Sequence, residues 1–231
     1  MSRKKTQNPA SIIKELQQKK LHPLSFRSEK QRTYYNLIKN KEIVFGLGAS
    51  GSGKTLIPVY YALEQLTQGS IDKIYFTKPT VEVGDTLGFM PGKMGDKFAP
   101  YVQSLLDHCN DFIGHQETLR RLSAKDIECK PMQFMRGVTF KDCVIVADEI
   151  QNAHYVQIKT LLSRIGDNCK IVFTADTKQC DIKNSDDFEK TLKIVKDLEE
   201  VGICKFTSDD IVRSGLVKKL MQAYEKYEDS V

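Results

Sequence analysis

Short apolar runs alternate with amphipathic stretches along almost the whole chain. Residues 42–47, 73–77, 126–129, 143–147, 170–174 and 201–206 are short, mostly apolar runs of strand length, rich in β-branched and aromatic side chains. Between them, residues 28–40, 53–66, 96–112, 116–124, 152–165, 186–199 and 214–226 carry apolar positions at helical spacing. In the first helix Ser28 supplies an N-cap, and Tyr34, Tyr35, Leu37 and Ile38 form the apolar face. Apolar strands separated by amphipathic helices predict an α/β fold, a mostly parallel sheet with helices on both faces. Two features resist the pattern. Pro58 falls inside helix 53–66, where it removes a backbone donor beyond the first turn and predicts a local kink. Residues 80–95 form a long loop bearing glycine and proline, a length associated with function or motion.

Composition narrows the class without naming a function. A chain of 231 residues suits one substantial domain, and neither repeats nor a low-complexity linker divide it. The expected organisation is a basic, mobile leader over residues 1–24 and a single domain over 25–231. With 40% hydrophobic residues, 28% charged residues and no apolar run of membrane-spanning length, the chain reads as soluble, with no membrane partner. Its polar, basic start lacks a signal-peptide core, which points to a cytoplasmic protein. Six cysteines at 109, 129, 143, 169, 180 and 204 form no CxxC pair and read as buried thiols. His108, Cys109 and His115 make no convincing zinc ligand set. Net charge is +5, and residues 3–20 hold Arg3, Lys4, Lys5, Lys14, Lys19 and Lys20 against Glu15 alone. Such a run is either a solvated tail or an arm for nucleic acid.

The sharpest signal lies between the first strand and the second helix. Gly48-Ala49-Ser50-Gly51-Ser52-Gly53-Lys54-Thr55 is a complete Walker A pattern, the P-loop that cradles phosphates. Its glycines let successive N–H groups point at phosphate oxygens, and the following helix N-terminus adds dipole and free donors. Lys54 would reach the β- and γ-phosphates of ATP, and the Thr55 hydroxyl would ligate Mg²⁺. A second carboxylate-bearing strand end is needed, and residues 143–147 supply it by running directly into Asp148 and Glu149. Asp148 is then the acid on the Mg²⁺ side, and Glu149 the base that orients and deprotonates water. A third strand ends in Thr174, Asp176 and Gln179, where the glutamine amide could sense the γ-phosphate or the water.

These residues resemble the PhoH-like proteins, single-domain relatives of superfamily 1 helicases, over roughly residues 26–226. The similarity rests on ordered motifs beyond the P-loop: Lys78-Pro-Thr through Pro91-Gly92, Pro131 through Gly137, Asp148-Glu149-Ile-Gln151-Asn152, Asp176-Thr-Lys-Gln179, and Val212-Arg213. The resemblance implies a RecA-like ATPase that assembles into a ring-shaped homo-oligomer, a hexamer favoured, associated in some relatives with RNA unwinding. It also implies that Gln31 reads adenine, a role an amide can fill because it both donates and accepts. The chain departs from the family at Lys78, where arginine is expected, at Ile150, at Ala175, and at Ser214-Gly215.

Hydrolysis needs positive charge near the γ-phosphate beyond Lys54 and Mg²⁺, and a chain this short holds no second RecA-like domain to provide it. The missing arginine is therefore expected from a neighbouring subunit, with Arg213 first, Arg136 second and Arg164 third. RNA or single-stranded nucleic acid is the expected partner, with Lys78, Lys93 and Lys97 as phosphate contacts. Tyr75 and Phe76 lie in a strand and read as core, whereas Phe89 could stack on a base. Two other classes stay open at this point: a nucleotide-gated regulatory protein with negligible turnover, and a P-loop kinase acting on a small metabolite.

Overall fold

Among the described residues six parallel strands form the sheet, in the spatial order β3-β2-β4-β5-β1-β6. They are β1 (Ile43–Leu47), β2 (Lys73–Thr77), β3 (Ile127–Cys129), β4 (Cys143–Ala147), β5 (Cys169–Ala175) and β6 (Val201–Lys205). The computed structural model describes residues 21–79, 98–176, 186–212, 219–220 and 223–224. The α-helices among these described residues include α1 (Glu29–Asn40), α2 (Leu56–Gln68), α3 (Gln103–Ile113), α4 (His115–Ala124), α5 (Tyr155–Leu162) and α6 (Asp186–Val195). Most of the expected helix over 214–226, Cys180, and the 80–95 loop lie outside the described residues.

The period-two alternation of each strand sorts its side chains onto two faces. Val44, Ile74, Phe76, Val144, Val146 and Val172 pack with Tyr34 and Ile38 of α1, Ile57 and Leu63 of α2, and Leu105 of α3. Phe45, Ile145, Ile171 and Phe173 face the other way, onto Ile158 and Leu161 of α5 and Phe188 of α6. Phe45 and Phe173 are partners in the β1–β5 register and stack at 4.8 Å. Burying each such side chain contributes about 1.5–3 kcal/mol, and both faces are filled this way. The result is an α/β sandwich with a parallel sheet covered on both faces, as the apolar periodicity predicts, and of the RecA-like kind that the family resemblance implies. Tyr75 and Phe76 are buried in this core.

Local chemistry sets the ends of the elements. Ser28 caps α1, its Oγ accepting from Gln31 N at 3.2 Å. Helix α2 begins at Leu56, because residues 51–55 are still in turn conformation. Pro58 therefore lies within the first helical turn, where Ile57 N and Val59 N bond to Gly53 O and Thr55 O on either side and only Lys54 O is left without a helical donor, and α2 runs through to Gln68 as one element. The proline expected inside helix 53–66 thus stands at the start of the observed one. The helix of 152–165 is also shorter than expected: residues Ile150–Asn152 wind as a 3-10 turn and α5 starts only at Tyr155. Residues 21–24, within the span read as leader, pack on the domain: His22 N donates to Phe112 O at 2.9 Å, and Leu21 and Leu24 lie against the core.

Candidate nucleotide site

The loop after β1 and the ends of β4 and β5 meet at one edge of the sheet, because β5 pairs with both β1 and β4. That edge is the C-terminal one, where open α/β sheets bind ligands. Gly48, Gly51 and Gly53 have φ of 131°, 88° and 91°, which turns the backbone back on itself. Gly48 has no alternative, since a Cβ there would lie 2.3 Å from the Phe206 carbonyl oxygen. Gly48 N donates to Ala175 O at 3.0 Å and Val212 N to Gly51 O at 3.1 Å, so the loop is anchored on both sides.

Beneath the loop, Tyr34 and Gln31 of α1 act as supports. The Tyr34 hydroxyl donates to Lys54 O at 3.3 Å, taking the acceptor that residue 58, a proline, has no N–H to satisfy. Close approach of Tyr34 is possible because residue 46 is glycine; a Cβ there would lie 2.3 Å from the tyrosine oxygen. Full burial beside Cys204 and Asp148 pushes the Tyr34 phenol well above its ordinary value, so it remains a donor. Gln31 Nε2 donates to Ser52 O at 2.9 Å, and its Oε1 accepts from Arg27 N at 2.9 Å. The amide keeps one hydrogen and one lone pair beyond those bonds, enough for the edge of a base.

Across the loop stands Asp148, 6% exposed, with Asp148 N bonded to Thr77 O at 2.9 Å. Its Oδ1 accepts from Thr55 Oγ1 at 3.1 Å and also from Thr174 Oγ1. Thus the P-loop threonine, the β4 acid and the β5 threonine share one oxygen. Glu149 follows in the left-handed backbone region, φ 53° and ψ 41°, a conformation costly for a residue with a Cβ and concentrated at functional sites. Its Oε1 lies 2.6 Å from Lys78 Nζ. Lys78, expected as a nucleic-acid phosphate contact, is thus ion-paired to the expected base. Gln151 Oε1 accepts from Asp176 N at 3.0 Å, joining the turn after β4 to the end of β5.

These groups line a cleft of about 690 Å³ whose walls include Ser50, Gly51, Gly53, Lys54, Thr55, Gln31, Asp148, Glu149 and Asp176. Of the sequence-derived residues, Gln179 and Arg213 lie outside the described residues, as do Lys93, Lys97 and Phe89. Arg136 is exposed after the turn Met132–Met135, and Arg164 is half-buried at the end of α5, so neither lines the cleft. Sequence reasoning missed the opposite wall: Ser104, His108, Asp111 and Phe112 of α3, with Leu24, Ser25 and Arg27. Their spacing of four, three and one is the signal, a partly polar stripe on one helix face. Burial holds the His108 imidazole below its ordinary value, against the pull of Asp111 and Asp148.

A profile of the family described as PhoH-like protein matches residues 23–225. The chain belongs to the PhoH-like family. The PhoH-like protein of Bacillus subtilis (strain 168) is 35% identical over 198 residues, covering 85% of this chain and 62% of that one. Protein PhoH of Escherichia coli (strain K12) is 35% identical over 207 residues, covering 87% of this chain and 58% of that one. The chain therefore spans about three-fifths of the length of these curated PhoH relatives. Among solved structures, the large terminase of a thermophilic bacteriophage superposes with a TM-score of 0.53 at 14% identity, covering 86% of this chain and 50% of that one. That likeness concerns the fold alone. No helix among the described residues of this PhoH-like chain is long and apolar enough to cross a membrane.

Proposed function

We propose that this chain is an Mg²⁺-dependent ATPase domain whose turnover is coupled to RNA or another single-stranded nucleic acid. The observation that carries the reading is the shared oxygen: Asp148 Oδ1 holds the hydroxyls of both Thr55 and Thr174 at the mouth of the P-loop. The donor set fits the group it would hold, since hard oxygen ligands from one hydroxyl and one carboxylate suit Mg²⁺ beside substrate phosphates. Thr55 and Asp148 would hold the ion, which when bound would supply positive charge against that building on the leaving ADP.

The chain's own groups do the rest. P-loop amides and Lys54 bind the phosphates, and Gln31 meets the adenine edge from beneath the loop. The Glu149 carboxylate takes a proton from water as the water oxygen bonds to the γ-phosphorus and the bond to the β-bridging oxygen breaks. Gln179 is assigned to sensing the γ-phosphate. An arginine from the next subunit of a head-to-tail ring, Arg213 first and exposed Arg136 second, completes the charge balance. The Lys78 ammonium on Glu149 is the one observation that favours the alternative, a nucleotide-gated binder with negligible turnover. The first test is ATP binding by Lys54→Ala: at least a tenfold loss of affinity for a fluorescent ATP analogue is expected. Unchanged affinity would remove the P-loop from the assignment.

A further inference from the structure

Glu149 connects two surfaces. It lines the nucleotide cleft, whereas Lys78, its ion-pair partner at 2.6 Å, is not one of the residues lining that cleft. Lys78 instead follows directly on β2, beside the chain that leaves the edge strand β3. The β2–β3 ladder continues past the strands, with Lys130 N bonded to Phe76 O at 2.9 Å and Met132 N to Lys78 O at 3.4 Å. That last bond sets the turn Met132–Met135 beside Lys78. The turn presents Phe134, 51% exposed, and Arg136 follows it, also exposed. The Lys78 side chain itself keeps 19% of its surface in solvent. An ammonium, an aromatic face and a guanidinium along one edge match what a single strand offers: phosphates for the cations and a base for the ring.

We propose that the Lys78–Phe134–Arg136 edge binds a single strand of nucleic acid, and that a strand phosphate taking Lys78 releases Glu149 to the attacking water. This rests on the reading of Glu149 as general base. Without a strand, Lys78 holds the carboxylate and turnover is slow. With one, the ammonium's charge is shared with a phosphodiester and the carboxylate is free to accept a proton. The pair thereby couples strand occupancy to hydrolysis through one charge exchange.

Linkage makes the exchange testable without any turnover. If a strand weakens the Lys78–Glu149 pair, then removing the Glu149 charge must tighten strand binding by the same factor. The probe is a fluorescein-labelled oligouridylate, followed by anisotropy at low salt in the absence of ATP. Lys78→Ala is expected to weaken binding about tenfold, and Phe134→Ala about tenfold through the lost stacking. Glu149→Gln is expected to tighten binding about fivefold in the wild-type background and to have no effect on top of Lys78→Ala, as a double-mutant cycle reads it. Equal tightening in both backgrounds would mean a general field effect and would overturn the exchange. Binding that ignores Lys78→Ala and Phe134→Ala would overturn the surface. In phosphate-release assays, Lys78→Ala should raise strand-independent turnover about fivefold and abolish stimulation by the oligonucleotide; lowered turnover would instead make Lys78 a substrate contact and overturn the proposal. Melting curves check folding, and Lys78→Gln replaces the alanine variant should that one unfold. A coupled binding cycle in a wild type that releases no phosphate would defeat the hydrolytic reading alone, whereas hydrolysis with no coupling would defeat the exchange alone.

Discussion

Replacing Thr174 with valine removes one hydroxyl and leaves the volume of the side chain almost unchanged. Thr174 is fully buried at the end of β5, and its hydroxyl donates to the Asp148 oxygen that Thr55 reaches at 3.1 Å. Asp148 is only 6% exposed, so water does not readily replace the lost donor. A hydrogen bond to a charged group contributes about 1.5–3 kcal/mol, and Thr174→Val is expected to cost about 2 kcal/mol of stability. For a domain of this size that corresponds to a drop of about 4–8 °C in Tm. The same hydroxyl orients the carboxylate assigned to the metal side of the site, and loss of such an orienting bond typically weakens metal binding by about 10–100-fold. The assay pairs thermal melting with phosphate release titrated against Mg²⁺. Half-maximal activity should require about tenfold more Mg²⁺ in Thr174→Val, and Thr174→Ser should recover most of the difference. An unchanged Mg²⁺ requirement in a normally folded Thr174→Val protein would refute the role given to Asp148.

Three further outcomes are expected. Gly46→Ala should lose about 1–3 kcal/mol in urea unfolding, because its Cβ would lie 2.3 Å from the Tyr34 oxygen of a fully buried ring; wild-type stability would show that Tyr34 is not held there. Tyr34→Phe keeps the ring but leaves Lys54 O without the tyrosine donor, and about 1 kcal/mol of stability and a few-fold of ATP affinity should go with it, as melting and binding titrations would read. Lys170 concerns the opposite end of the sheet, where burial pushes its ammonium down to about 8 from 10.5. Below pH 8 the folded state carries the full cost of the buried charge. Between pH 8 and 10.5 the unfolded chain binds more protons, so this contribution to stability rises with pH. Lys170→Met should therefore gain about 1 kcal/mol at pH 7, after allowance for solvent contact, and the gain should shrink towards pH 10. A pH-independent difference between the two proteins would contradict this.

Much of the site is legible in the sequence because phosphate chemistry is local. The P-loop is contiguous, and β4 ends where its apolar run meets Asp148, as residues 143–147 predict. The strands are legible for the same reason: alternate residues must fill two buried faces, and each run shows that demand. What sequence leaves out is non-local. Nothing near Lys78 announces that it lies against Glu149, 71 positions on, because the contact depends on β2 and β4 being neighbours in the sheet. Pro58 looks wrong only while α2 is started at Gly53; with Leu56 as first residue it falls in the first turn, and the Tyr34 hydroxyl, from another helix, takes the one carbonyl oxygen it leaves, that of Lys54. The α3 wall of the cleft is hidden for a related reason. Ser104, His108 and Asp111 carry no motif, and only the packing of α3 against α2 brings their stripe to the P-loop.

The central claim is hydrolysis by a base at the end of β4, and phosphate release from ATP and Mg²⁺ by wild type and Glu149→Gln tests it most directly. The account expects measurable turnover in the wild type, stimulated by single-stranded RNA. Glu149→Gln should bind ATP normally and turn over about 10²–10⁴-fold more slowly. Equal turnover in the two proteins, or no phosphate release from a wild type that binds ATP with or without RNA, would contradict it.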